Sequence, residues 1–138
     1  MNIDASNLIL GRVCTVAAKK ALLGEEVNIF NCAKMVITGN RDWFLKEYQQ
    51  KMQRGTHTTG PFQPKTPFRF VKRVLRGMLP YKTLRGRSAL KRVKCYNLVP
   101  EEFKGKLELL PEAGIENSLT SRYIFVGELC RLMGGKSE

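Results

Sequence analysis

The sequence predicts an α/β domain with a mostly parallel sheet, and three observations support this fold class. Helix-like apolar periodicity alternates with short apolar runs along the first third of the chain. A length of 138 residues suits one domain with its own core, so we expect residues 1–138 to form a single domain. A hydrophobic fraction of 43% is typical of a folded protein and not of a disordered basic tail.

The first third of the chain is expected to form a strand, a helix, a second strand and a second helix. Residues 2–4 form a short strand candidate, and apolar positions from Leu10 onward recur at helical spacing. Gly24 follows this helix, at the position where a glycine in left-handed backbone often ends a helix. Residues 27–31 then predict a buried strand, and 35–37 form a second apolar run.

A second helix is expected after Asn40, a residue type that favours the N-cap position. Asp42 then lies in the first turn, where the helix dipole favours a negative charge. Phe44, Tyr48 and Met52 recur every four residues and form the apolar stripe of this helix.

The segment 53–67 has neither helical nor strand periodicity. It contains two Gly, three Pro and four Thr in 15 residues, together with Arg54, His57 and Lys65. A loop of this length inside a compact domain is typically functional or disordered. Because it offers little apolar surface against the entropy of ordering, we expect it to be mobile in the free protein and ordered on a partner.

The next helix is expected to have two opposite faces. Thr66 can cap it, and Pro67 suits the first helical position. Apolar residues form one face: Phe68, Phe70, Val71, Val74, Leu75 and Met78. Cations at positions i, i+3, i+4 and i+7 form the other face: Arg69, Lys72, Arg73 and Arg76. Pro80 ends the helix, and we expect Met78 and Leu79 to pack into the core.

The rest of the chain predicts shorter elements. A helix from Ser88 is expected after a basic turn at 81–86, with Leu90 and Val93 on its apolar face. Its basic positions are spaced i, i+4 and i+7: Arg87, Lys91 and Lys94. The remaining segments predict a strand within 93–99, a loop over 100–117, a strand at 123–126 and a closing helix at 127–133.

The cysteines do not form a metal-binding or redox motif in sequence. Cys14, Cys32, Cys95 and Cys130 are 18, 63 and 35 residues apart, so no Cys-x-x-Cys pair exists. Their apolar neighbours favour buried, reduced thiols. A disulfide or four scattered zinc ligands are the alternatives.

Catalytic patterns are absent from the sequence. The single His57 lies in a polar loop and is expected to be a contact residue, not a base or a metal ligand. The Leu10-Gly11-Arg12 turn has neither a dinucleotide fingerprint nor a phosphate-loop lysine. No apolar run approaches the length of a membrane span, and the N-terminus shows no secretory signal. We therefore expect a cytoplasmic protein that is not an enzyme and binds no cofactor or metal.

The charge is concentrated in one block. Residues 41–94 contain 15 of the 24 Lys and Arg residues but only two acidic ones, so this block has a net charge of +13. The whole chain has a net charge of +12, so the block accounts for all of it. So few acids cannot pair with these cations, and a polyanion is the natural partner. A solvated charged face is the alternative interpretation.

The kind of polyanion is indicated by the pattern of the basic residues. No helix-turn-helix, zinc-finger or basic-zipper pattern is present, and the cations lie on two helices, a turn and a loop. Such a distribution favours a large shaped RNA surface over a single DNA groove. The predicted RNA-binding residues are Arg54, His57, Lys65, Arg69, Lys72, Arg73, Arg76, Lys82, Arg85, Arg87 and Lys91.

Five groups of residues follow one another along the chain as motifs. They are Ile3-Asp4-Ala5 with Leu8-Ile9-Leu10-Gly11-Arg12; Asn31-Cys32-Ala33-Lys34 with Ile37-Thr38-Gly39-Asn40; Gly60-Pro61-Phe62; Leu75-Arg76-Gly77-Met78-Leu79-Pro80 with Gly86-Arg87 and Val93-Lys94-Cys95-Tyr96; and Tyr123-Ile124-Phe125-Val126-Gly127-Glu128-Leu129. Together they resemble the universal large-subunit ribosomal protein family numbered thirteen, in its archaeal and eukaryotic branch. Cys14 and Cys95 depart from the small or β-branched residues usual there, and residues 97–122 match weakly. The end soon after Gly135 suggests an archaeal or a reduced eukaryotic source.

The resemblance implies a three-layer α/β/α domain with a four-stranded mostly parallel sheet, a long basic loop and basic helices. It implies a structural protein that binds large-subunit ribosomal RNA, supports subunit assembly and contacts neighbouring large-subunit proteins in the cytoplasm. It implies no membrane and no small-molecule substrate as partners. An extra-ribosomal RNA-binding regulator of translation is the alternative, and an RNA-processing enzyme comes third.

Overall fold

The chain alternates short strands with helices in the computed structural model, which describes residues 1–135. Five strands and five α-helices are formed within this range. In chain order they are β1 (Asn2–Asp4), α1 (Leu10–Leu22), β2 (Val27–Phe30), β3 (Val36–Thr38), α2 (Arg41–Gln53), α3 (Pro67–Met78), α4 (Leu84–Arg92), β4 (Val93–Cys95), β5 (Tyr123–Phe125) and α5 (Val126–Leu132). The mixed α/β class predicted from the sequence is confirmed.

A parallel sheet of three strands, in the order β1-β2-β4, organises the fold. In the register, Ile3 lies opposite Ile29 and Ile29 opposite Cys95. β2 is the central strand, and its Val27, Ile29 and Phe30 have no exposed surface, so side chains on both of its faces are buried. Such a strand accepts the nearly continuous apolar run that the sequence has here.

The other two strands correct the expectation of one four-stranded sheet. Among the described residues, β3 and β5 form a separate antiparallel pair, with Ile37 opposite Ile124. β3 forms one isolated parallel bridge, between its Val36 and Ile9, which lies in the segment that joins β1 to α1. This pairing cannot extend because α1 begins at Leu10 and turns the chain away. The three-layer arrangement stays a prediction.

The first two helices follow their sequence signals closely. The periodic residues of α1, including Val13 and Ala17, are fully buried, and Gly24 follows its C-terminus with a φ of 106°. In α2 the Oδ1 atom of Asn40 accepts a hydrogen bond of 3.0 Å from the backbone N–H of Asp42. The capping interaction expected at Asn40 is therefore confirmed.

The ends of α3 differ from expectation in two places. Thr66 occupies the N-cap position, but its hydroxyl makes no capping hydrogen bond and is buried without a partner among residues 1–135. Leu79 is buried, as expected, whereas the side chain of Met78 is 41% exposed. The last turn of α3 extends past the edge of the core, where the sulfur of Met78 lies 3.9 Å from the hydroxyl of the exposed Thr15. The prediction that Met78 packs into the core was wrong.

Helix α4 begins four residues earlier than the sequence suggested, at Leu84 instead of Ser88. The hydroxyl of Thr83 caps it by accepting a hydrogen bond of 3.2 Å from the backbone N–H of Gly86. Gly86 is buried and packs so closely on the carbonyl of Pro80 that a Cβ atom at this position would collide with it. The sequence predicts a turn at 81–86 because the cap at Thr83 is difficult to recognise among the charged residues around it.

The C-terminal third contains the predicted strand and closing helix. β4 ends at Cys95, so the strand expected within 93–99 is short, and the following loop contains three single 3₁₀ turns. α5 begins at Val126, one residue before its predicted start. Within residues 1–135, no helix combines the length and the apolar content that crossing a bilayer requires.

All four cysteines carry free thiols. Cys14, Cys32 and Cys130 are buried, and Cys95 is partly exposed. The described part of the chain has no cluster of three or more His, Cys, Asp or Glu side chains that could hold a metal ion. The burial expected of the thiols is confirmed for Cys14, Cys32 and Cys130 but not for Cys95, and their reduced state stays a prediction.

Candidate nucleic-acid interface

An open groove of about 540 Å³ lies between α3, α4 and β4, and we call it the basic groove. It is lined by Pro64, Phe68, Arg69, Lys72, Arg73, Arg76, Leu90, Lys94, Cys95 and Tyr96. Half of these residues are Lys or Arg, and all four cations predicted on the basic face of α3 are among them.

Helix α3 holds its cations toward the groove because its opposite face is fixed in the core. Phe70, Val71 and Leu75 are buried, and α3 packs against α1 and β4. Arg69, Lys72, Arg73 and Arg76 lie on the other side of the helix, and all are exposed except Lys72, which is half-buried. Apolar burial on one face thus determines where the charge points.

These cations have no acidic partners among residues 1–135. The ion pairs in this range join Lys20 to Glu25, Arg41 to Glu128, Lys51 to Glu47 and Lys104 to Glu101. None of them involves a predicted RNA-binding residue. The charge of the groove is therefore free to attract an anion, and Arg side chains suit bidentate recognition of phosphate.

Neutral groups hold two of the α3 arginines in place. The Nη2 atom of Arg73 donates a hydrogen bond of 3.0 Å to the backbone carbonyl of Phe62, in the loop before α3. The guanidinium of Arg76 lies 4.5 Å from the centroid of the Tyr81 ring. Both contacts position the side chain without neutralising it, which leaves its positive charge available.

The loop before α3 is less tied to the rest of the molecule. A turn at 56–60 is closed by a hydrogen bond of 3.0 Å from the N–H of Gly60 to the carbonyl of Thr56. Arg54, His57 and Lys65 are exposed, and none of them lines the basic groove. These three predicted residues precede α3 in sequence, but the structure does not place them in the walls of the basic groove.

The predicted residues on and near α4 are also outside the groove lining. Lys82, Arg85, Arg87 and Lys91 are exposed. The Nη2 atom of Arg87 donates a hydrogen bond of 3.4 Å to the carbonyl of Lys82, across the start of the helix. They extend the positive surface beyond the groove.

Lys94 and Cys95 line the groove but were not among the predicted site residues. Lys94 is exposed between the buried Val93 and the partly exposed Cys95 on β4. Its alternation with Val93 is the sequence signal that could have identified it as a solvent-facing strand residue.

The walls of the groove combine cations with rings. Phe68 and Tyr96 are half-buried and line it together with the apolar Leu90. The guanidinium of Arg69 lies 5.7 Å from the centroid of the Phe68 ring. Surfaces that bind single-stranded RNA segments use this combination, since the cations contact phosphates and the rings accept stacked bases.

One family model matches the chain. It is described as "Ribosomal protein L13" and matches residues 1–102, which include β1 to β4 and the whole basic groove.

Curated proteins of several archaea are also similar along nearly the full chain. The sequence is 46% identical over 136 residues to the large ribosomal subunit protein uL13 of Methanosarcina barkeri, which covers 97% of each chain. The protein of the same name from Archaeoglobus fulgidus is 41% identical over 134 residues, 96% of this chain and 86% of its own. That from Methanopyrus kandleri is 42% identical over 135 residues, 96% of this chain and 85% of its own.

Proposed function

The chain belongs to the ribosomal protein L13 family, and from this membership we propose that it is a structural component of the large ribosomal subunit. It binds and stabilises folded large-subunit ribosomal RNA and supports assembly of the subunit. Its partners are that RNA and neighbouring large-subunit proteins. It acts without catalysis, and residues 1–138 work as one RNA-binding domain.

The observation that carries the proposed RNA contact is the row of cations on α3 that face one groove and have no acidic partners among residues 1–135. Arg69, Lys72, Arg73 and Arg76 contact phosphates there, and Lys94 joins them from β4. The remaining contacts come from exposed cations and the single histidine of the same block: Arg54, His57, Lys65, Lys82, Arg85, Arg87 and Lys91. Phosphate binding by many cations gives affinity through release of counterions, so it depends strongly on salt.

The test is a triple replacement of Arg69, Arg73 and Arg76 by Gln, followed by binding to large-subunit RNA at several salt concentrations. Each lost phosphate contact is expected to reduce the slope of log K against log salt by about 0.7 to 0.9. Affinity should therefore fall steeply at low salt and less at high salt. Thermal melting should change little, because these side chains lose no ion pair among residues 1–135.

A matched control removes the same amount of charge elsewhere. Lys106, Arg122 and Arg131 are exposed, lie outside the block 41–94 and form no ion pair within the described residues. Replacing all three by Gln should reduce the salt slope less than the α3 replacement does. Equal slopes for the two variants would mean that net charge alone, and not the basic groove, determines RNA binding.

A further inference from the structure

Cys32 and Cys95 are far apart in sequence but lie on adjacent chain segments, and Cys95 lines the basic groove. β2 and β4 pair in parallel up to Ile29 and Cys95. Beyond that point the N–H of Tyr96 donates to the carbonyl of Ile29 at 2.8 Å, and the N–H of Cys32 donates to the carbonyl of Tyr96 at 3.1 Å. These backbone bonds hold the two cysteines on adjacent chain segments, and the Cys32 thiol donates a hydrogen bond of 3.6 Å to the same Ile29 carbonyl.

The two thiols differ in access. Cys32 has no exposed surface, whereas Cys95 is partly exposed and lines the basic groove. A reagent that enters the groove therefore meets Cys95 and has no direct access to Cys32.

They differ also in acidity. The hydrogen bond from Cys32 lowers the pKa of Cys95; burial acts against this, and the nearby charge of Lys72 lowers the pKa further. The same hydrogen bond and burial raise the pKa of Cys32. Burial alone raises the pKa of Cys130 to about 12. The thiolate, which is the reactive form, is therefore favoured at the exposed member of the pair.

We propose that Cys95 and Cys32 form a peroxide-sensitive dithiol, in which Cys95 reacts with the peroxide and Cys32 is the resolving thiol. The Cys95 thiolate attacks one oxygen of a hydroperoxide, so that an S–O bond forms and the O–O bond breaks. The departing alkoxide or hydroxide takes up the proton that Cys95 had released. The Cys32 thiol then attacks the sulfenic acid, an S–S bond forms, the S–O bond breaks and water leaves with the Cys32 proton.

RNA binding is expected to control this reaction, and this part of the proposal rests on the proposed function. Cys95 shares the groove with Lys72 and Lys94, so RNA that contacts these cations covers the thiol. The dithiol is then open to oxidants in the free protein and protected in the assembled ribonucleoprotein.

The experiment treats the full-length reduced protein with hydrogen peroxide and follows its intact mass and its disulfide-linked peptides. The expected product has lost two hydrogen atoms and contains a Cys32–Cys95 linkage. Cys95→Ser should abolish the product. Cys32→Ser should stop at a Cys95 sulfenic acid that dimedone captures. Cys130→Ser is the matched control, since this buried thiol lies outside the pair, and it should oxidise as the unmodified chain does.

Alkylation of the unmodified chain by iodoacetamide provides a second measurement that does not depend on how the variants fold. Cys95 should react at least about tenfold faster than Cys130, because it is both more exposed and more acidic. An unchanged mass after peroxide, a linkage that omits either cysteine, or alkylation of Cys130 before Cys95 would overturn the proposal.

A third arm adds large-subunit RNA before the reagents. Slower alkylation of Cys95, with peroxide oxidation slowed equally, supports protection by RNA. If RNA binds but leaves both rates unchanged, the basic groove is not the RNA contact, and that outcome overturns the RNA-controlled part of the proposal. A dithiol that forms in the free protein is still established by the peroxide experiment, so the two failures are distinguishable.

Discussion

Asp4 shows how one carboxylate can organise a crossing of two chain segments. Its Oδ1 atom accepts hydrogen bonds from the backbone N–H of Ser6 at 3.0 Å, from the Ser6 hydroxyl at 2.8 Å and from the Nδ2 atom of Asn31 at 2.9 Å. Asn31 has a φ of 57°, a left-handed conformation that asparagine adopts more readily than most residues. The carboxylate thus ties the end of β1 to the turn after β2.

This arrangement predicts a specific dependence of stability on pH. Burial raises the pKa of Asp4, but the hydrogen bonds from Asn31 and Ser6 outweigh it and hold the pKa below its ordinary value. A carboxylate with a lowered folded-state pKa contributes stability above its unfolded pKa of about 3.9, and this contribution is lost as the pH falls through the folded pKa. Asp4→Asn should therefore reduce the free energy of unfolding by about 1–2 kcal/mol at pH near 7.

Urea unfolding at neutral and strongly acidic pH measures this effect. The difference between Asp4→Asn and the unmodified chain should shrink in acid, where the unmodified carboxyl is also protonated. Glu26→Gln serves as the control, because Glu26 is exposed. If Asp4→Asn lowered stability by the same amount at both pH values, the ionised carboxylate would not be the source of the stabilisation.

Met78 and Leu79 are neighbours with opposite environments. Leu79 is 4% exposed and Met78 is 41% exposed. Leu79→Ala should cost about 2–4 kcal/mol, because it leaves a cavity where a buried side chain was packed. Met78→Ala should cost less than about 1 kcal/mol, as for most changes at the surface. Denaturant melts of the two variants decide the matter, and equal losses of stability would contradict the structure.

At the scale of the elements, the loop between α2 and α3 is held by few backbone hydrogen bonds. Within 54–66 the turn is held by the bond from Gly60 to Thr56, by an N–H of Thr59 that donates to the Thr56 hydroxyl at 3.2 Å, and by the Arg73 contact to Phe62. A segment with so few backbone hydrogen bonds opens at little free-energy cost.

We therefore predict that amides of the loop exchange rapidly with deuterium in the free protein and become protected when RNA binds. The amides of Val71 and Leu75, in the buried part of α3, provide the internal control and should be protected in both states. Hydrogen exchange with mass spectrometry reports both segments in one experiment. Strong protection of the loop without RNA would show that it is already ordered.

The elements also show what sequence reasoning could reach. α1, α2 and the body of α3 were predictable because each combines a regular apolar stripe with local end signals, such as Gly24, Asn40 and Pro80. The pairing of β3 with β5 could not be predicted from the sequence. Each strand has only three residues, and their pairing depends on contacts between residues that are distant in sequence. Met78 satisfied the stripe of α3, but periodicity does not show where the core ends.

At the scale of the whole molecule, the sequence predicted the charged face but not the shape of the site. The α3 cations follow from helical spacing alone. The basic groove needs β4 beside α3, which depends on the pairing of β4 with β2. Lys94 and Cys95 reach the groove through that pairing, so no local pattern predicts their place in it.

A property of the whole molecule distinguishes a ribosomal component from a free RNA-binding regulator. A structural component held by many phosphate contacts should sediment with large subunits in sucrose gradients, and the unmodified chain should remain there at raised salt longer than the Arg69, Arg73 and Arg76 triple variant. Immunoblotting of gradient fractions measures both. Recovery mainly in light, ribosome-free fractions would favour the extra-ribosomal role instead.

The strand order β1-β2-β4 has a consequence for folding of the chain during its synthesis. A chain is made from its N-terminus, so β1 and β2 exist long before Val93 has been synthesised. Until then one edge of β2 has unpaired backbone groups, while the cations of α3 are already present. The nascent chain therefore carries its charge before it can complete its sheet. Chaperones or RNA that bind this charge early would meet a molecule in which β4 has still to pair with β2.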